Sequence, residues 1–157
     1  MFPSETTAEI AAREFSEETS CLFYLKEQIN DENKTFYELL KDNKNLFYED
    51  TTIDILKTLI PLSQKYYTNK ITEFVLPLYV SSKETYISYL LKVNYLNEND
   101  LPHAEDIHIN YEERYLRECR WFSYDELMEL DDKDFHKRLQ ITRIKQRIKN
   151  YYEKNLF

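Results

Sequence analysis

The chain has 157 residues, 42% hydrophobic and 32% charged, with a net charge of −8 and no glycine beside 14 tyrosines and 9 phenylalanines. That length suits one domain with a modest core, and the composition excludes a disordered chain. The acidic balance excludes broad, nonspecific nucleic-acid binding, the missing glycine excludes a Walker-type phosphate loop, and no apolar run nears the roughly 20 residues of a membrane-spanning helix.

In chain order, the first predicted element is a helix over 7–19, with Thr6 as its cap and Glu9 at the capping-box position. On a helical wheel Ala8, Ala11, Ala12 and Phe15 form an apolar stripe, and Glu14, Glu17 and Glu18 gather on its flank. Like charges at i, i+3 and i+4 repel by roughly a few tenths of a kcal/mol per pair. Arg13, one turn from both Glu9 and Glu17, offers each an ion pair. A divalent cation would offset the repulsion much further, because Mg²⁺ favours hard carboxylate oxygens. The residues alone leave two readings open: a metal-binding face, or a solvated face in a chain with 29 acidic residues.

Residues 22–69 read as polar and irregular, with helical pieces at 35–41 and 53–66 and Pro61 interrupting or kinking the second. Strands are predicted over 71–80 and 86–96, joined by a polar turn at 81–85, since both runs are rich in β-branched and aromatic residues. A polar loop at 97–106 leads to an extended stretch over 107–122; Ser123 then caps a helix with Glu126 at the box position. A final helix over 137–155 places Ile141, Ile144, Ile148 and Tyr151 on one face. The order of elements indicates an α+β fold.

Charge is uneven. Residues 137–157 carry seven basic side chains against Glu153, a net of +6 that leaves −14 for the remaining 136 residues. The basic flank of the last helix, with Arg143, Arg147 and Lys154, suits contact with RNA or a polyphosphate, and equally suits a helix C-terminus whose dipole favours cations. His103 and His108, with Glu105 and Asp106 between them, match no metal-ligand spacing and read as a solvated loop. Cys21 and Cys119 form no CxxC pair and the first residues resemble no signal peptide, which together indicate a reducing, cytoplasmic location.

The opening stretch resembles the Nudix box, G-x5-E-x7-R-E-U-x-E-E-x-G-U, where U is bulky and apolar. Glu5 fits the first glutamate, residues 6–12 the seven-residue gap, Arg13, Glu14, Phe15, Glu17 and Glu18 the R-E-U-x-E-E core, and Cys21 the last apolar position. Ser20 stands where the motif has its second glycine, and the first glycine falls before Met1. Residues 111–130 are similar to the family's glutamate loop, tryptophan-ended strand and short helix, and the nearest likeness within the family is to decapping-type and diphosphoinositol-polyphosphate-type members, including those of large DNA viruses.

The resemblance implies an α/β/α sandwich formed as one domain over 1–157: box helix 1–22, an insertion at 23–69, strands and a short helix over 70–130, and a C-terminal helix over 131–157. It implies Mg²⁺- or Mn²⁺-dependent hydrolysis of a pyrophosphate bond in a nucleoside-diphosphate-type substrate. Glu14, Glu17 and Glu18 would be metal ligands, with Glu14 or Glu17 orienting water; Arg13 would fix the glutamate face and Glu5 the loop before it. Glu112 or Glu113 is the candidate for an additional base or ligand, against the plain alternative of strand-edge charges. Because the motif's entry strands are missing, the expectation is an N-terminally incomplete chain or a shortened relative, whose open sheet edge the insertion or a second copy would cover. A non-catalytic module of the same family and an unrelated acidic interaction domain are the competing readings.

Overall fold

A computed structural model describes residues 4–28, 50–74, 77–80, 86–100, 119–141 and 143–154. They belong to two compact units, one drawn from residues 1–74 and 93–120 and the other from 75–92 and 121–157.

The first unit is built on a pair of packed helices. Helix α1, Thr7–Glu18, starts where Thr6 turns extended and its hydroxyl accepts the Glu9 N–H at 3.2 Å. The same hydroxyl donates to the Glu9 carboxylate, so the predicted cap is present. The buried face is Ala8, Ala12 and Ser16, while Ala11 and Phe15 are half-buried. The apolar stripe is thus shifted toward a serine that its polarity hid. Small side chains at i, i+4 and i+8 let another helix approach closely.

That helix is α3, Asp50–Phe74, which packs along α1. Leu56, Ile60, Ser63, Tyr67 and Ile71 are all buried and recur with helical period. This stripe explains two departures from the sequence reading. Pro61 does not interrupt the helix: it lies on the exposed side, where water can satisfy the carbonyl that loses its donor. Residues 71–74 are helical and not strand, because Ile71 completes the stripe one turn beyond Tyr67, and packing overrides β-propensity. Between the two lies the short helix α2, Leu22–Glu27, with Leu22, Phe23 and Leu25 buried. Residues 22–27 and 50–69 are therefore regular helix, and those of α3 bear directly on α1. The helical piece expected at 35–41 lies outside the described residues.

In the second unit, β1, Pro77–Val80, pairs antiparallel with β2, Tyr86–Tyr89, in the register Leu78↔Ser88 and Tyr79↔Ile87. Among the described residues this ribbon is the whole sheet. Both strands are shorter than predicted: 90–97 is irregular, as are 119–123 at the end of the expected extended stretch. The turn at 81–85 and residues 107–118 lie outside the described residues.

Helix α4, Tyr124–Glu129, has the predicted capping box complete: Ser123 Oγ accepts the Glu126 N–H at 3.1 Å and the Glu126 carboxylate accepts the Ser123 N–H at 2.9 Å. The expected long final helix is two pieces, α5, Lys137–Ile141, and α6, Ile144–Glu153. Arg143, at φ 52°, breaks them apart, and no glycine or proline marks that break in the sequence. Ile144 is buried and Ile148 and Tyr151 are half-buried. The Tyr152 ring stacks on Tyr124 of α4 at 3.7 Å. Among the described residues no helix is long and apolar enough to cross a membrane.

Candidate functional site

The glutamates of α1 are organised around one guanidinium. Arg13 Nε donates to both carboxylate oxygens of Glu5, at 3.1 and 3.3 Å, and its Nη1 donates to both oxygens of Glu17 at 3.3 Å. All three side chains are largely covered, at 17%, 10% and 12% exposure for Arg13, Glu5 and Glu17. Partial burial works against the Arg13 charge, but the Glu5 hydrogen bond and the Glu17 charge outweigh it and raise its pKa above the ordinary value. Gln64 of α3 completes the clasp by donating to the Glu5 carboxylate and, at 2.9 Å, to the Glu9 carbonyl. The segment before the helix, the helix itself and α3 are thereby tied at one point.

The exit from α1 is equally defined. The Cys21 N–H reaches the Ser16 carbonyl at 2.9 Å and the Ser20 N–H reaches the Glu17 carbonyl at 3.2 Å. These are the two bonds of a Schellman C-cap, whose central residue must be left-handed. That residue is Ser20, at φ 50°, the position where the resemblance has a glycine. Serine holds this conformation here without the freedom at positive φ that glycine has. Cys21 follows at φ 57° and is buried. Burial pushes its thiol up to about 12, with the Glu17 charge raising it and a hydrogen bond to Ser63 opposing, so it is no thiolate nucleophile at neutral pH.

Of the remaining candidates, Glu14 and Glu18 lie on the exposed side of α1, one turn apart, and Phe15 packs against the rings of Phe23 and Tyr67. Glu17 points instead toward Arg13, and among the described residues no three His, Cys, Asp or Glu side chains gather as a ready metal cage. Glu112, Glu113, His103, Glu105, Asp106 and His108 lie outside the described residues. Trp121 is half-buried, Arg143 and Lys154 are exposed, and Arg147 is half-buried.

Sequence reasoning missed three participants. Gln64 carries no signal of its own role. Ser16 and Ser63 form a buried hydroxyl pair at 2.7 Å where α1 meets α3, and the Ser16 hydroxyl also donates to the Ala12 carbonyl at 2.7 Å. Glu27 of α2 accepts from Lys70 Nζ at 2.9 Å and from the Tyr66 hydroxyl, a link that no local spacing announces because 43 residues separate its ends.

No family model matches the chain, and no solved structure does. The chain is 64% identical over 164 aligned positions to "Uncharacterized protein L534" of Acanthamoeba polyphaga mimivirus, an alignment covering 98% of this chain and 53% of that protein. It therefore spans about half the length of the curated relative it matches.

Proposed function

We propose that α1 is the box helix of a Nudix-type pyrophosphohydrolase, acting on a nucleoside-diphosphate-type or related polyphosphate substrate with Mg²⁺ or Mn²⁺, within the α/β/α sandwich of that family. The observation that supports it most is the Arg13 clasp on Glu5 and Glu17, joined to a left-handed exit at the motif's glycine position. The first is the role the resemblance gives Arg13, and the second is a conformation that a glycine at that position would permit. An accidental cluster of solvated glutamates has no need for a covered guanidinium shared between two carboxylates.

The donor set suits the metal. Mg²⁺ is commonly held by one or two carboxylates, with water and substrate phosphates completing its octahedron. Glu14 and Glu18 would supply those carboxylates from the exposed side of a rigid helix. When bound, the ion would neutralise charge on the phosphates and activate water. Arg13 holds the Glu17 carboxylate in a fixed orientation through two hydrogen bonds, so that Glu17 can take a proton from a water molecule.

The test is hydrolysis of a panel of nucleoside diphosphate conjugates, capped RNA and diphosphoinositol polyphosphate, with and without Mg²⁺ or Mn²⁺. Expected is metal-dependent turnover, abolished by chelation and lowered about a hundredfold or more in Glu17→Gln. The commitment of Glu17 to Arg13 favours one second reading, a non-catalytic binding module of the same family. Metal affinity without turnover on any substrate would select it. Absence of both sinks the metal reading altogether.

A further inference from the structure

The second unit contains a cleft of about 750 Å³ that the α1 glutamates do not help to form. Its walls are of two kinds. Phe135, Leu139 and Ile144 supply an apolar floor, while Arg143, Lys145 and Lys149 stand around it. Among the described residues Asp132 is the one carboxylate in the lining. Three cations about one concavity repel each other, and the charge they leave uncompensated favours an anion.

Little within the unit satisfies them. Lys145 Nζ donates to the Leu130 carbonyl at 2.6 Å, which fixes its position and leaves its charge unneutralised. Lys149 reaches Glu153 at 4.0 Å, with both side chains about half exposed, a pair too loose and wet to compete strongly with a ligand. Arg143 is exposed on its left-handed turn. No side chain caps the start of α6, so its first N–H groups, at lining residues Ile144, Lys145 and Gln146, add to the positive field.

We infer that this cleft binds a small organic phosphate, with the phosphates on Arg143, Lys145 and Lys149 and an apolar or aromatic moiety seated on Phe135. The volume lies within the roughly 300–1,000 Å³ of small-molecule sites. The mixed lining matches a molecule that is apolar at one end and anionic at the other. A nucleic acid would ask for a longer track, since strong binding neutralises on the order of 6–10 phosphates. None of the lining residues belongs to α1, and binding in the cleft does not rest on hydrolysis at α1.

The experiment uses ADP as the probe, titrated by calorimetry into the full chain in EDTA, so that metal-dependent turnover plays no part, with amide NMR shifts to locate it. Expected is a Kd of about 1 mM or tighter at low salt, with shifts at 143–149. The double variant Arg143→Asn/Lys149→Gln should weaken binding about tenfold or more; asparagine tolerates the left-handed backbone, and Lys149→Gln alone should give a smaller loss in the same direction. Phe135→Leu should weaken ADP and leave inorganic pyrophosphate unaffected. No binding up to about 5 mM, or binding unchanged in a folded double variant, overturns the inference. So does an oligouridylate that binds more tightly than ADP through the same residues, which would make the surface an RNA contact.

Discussion

The two units treat charge in opposite ways. In the first, Arg13 is covered and shared between two carboxylates, Lys70 is bonded to Glu27, and Gln64 closes the network from a second helix. In the second, Arg143, Lys145 and Lys149 line a cleft, where Lys145 meets a carbonyl oxygen and Lys149 a loose carboxylate. The same contrast holds for backbone strain. Ser20 and Cys21 are left-handed and buried under a helix pair, whereas Arg143 is left-handed and exposed. A saturated cation inside a packed pair organises its neighbours; an unsaturated one on an open turn is left for something else to bind.

The contrast breaks most sharply at the packing of α1 on α3. Leu56, fully buried there, should lose about 3 kcal/mol as Leu56→Ala, since the helix pair cannot collapse fully around the cavity. Ile148→Ala, half-buried on α6, should lose clearly less. Urea unfolding of both variants measures the difference, and equal losses would deny that the first unit is the better packed. Next comes Arg13→Met. It leaves Glu5 and Glu17 covered and facing each other, at a cost of about 2 kcal/mol after allowing for their residual exposure. The matching exposed change, Lys149→Met, should move stability by less than about 0.5 kcal/mol.

What the sequence makes legible follows the same division. Local chemistry is readable: the Thr6 and Ser123 caps and the rigid Arg13–Glu17 spacing are settled within one or two turns. Partners across the fold are not. Nothing near Glu5 names Gln64, and the buried Ser16–Ser63 pair looks polar and exposed until α3 is placed beside α1. The strand reading of 71–74 failed because Ile71 answers to Leu56 and Tyr67 along a helix, not to its own propensity. The break at Arg143 has no punctuating residue at all. The arginine–glutamate clasp was legible in the motif, while the cleft beside Phe135 needed the turn that the sequence conceals.

Alkaline pH separates the units more gently. Cys21 has its folded pKa raised from 9.0 to about 12 by burial. Above pH 9 the unfolded chain releases this proton and the folded one keeps it, so the thiol's contribution is intact below pH 9 and falls as pH rises toward about 12. The slope approaches about 1.4 kcal/mol per pH unit. Chemical denaturation from pH 8 to 10.5 should show that loss, reduced in Cys21→Ala relative to its own value at pH 8. Free alkylation of Cys21 itself in the native protein at pH 8, mapped apart from the half-buried Cys119, would contradict the burial on which the argument stands.

The smallest effect concerns the strained turns themselves. Arg143→Gly removes a left-handed penalty of about 1 kcal/mol from an exposed position with few contacts to lose, and should raise stability by up to that amount. Ser20→Gly relieves the same conformation at the Schellman position, but it also strips a buried hydroxyl from the junction between α1 and α2, so its gain should be smaller or absent. Thermal unfolding of the two variants orders them. If Ser20→Gly gains as much as Arg143→Gly, the serine is a passive substitute for the motif's glycine. If it gains less, the buried hydroxyl contributes to the packing at the junction between α1 and α2 that holds the glutamate helix in place.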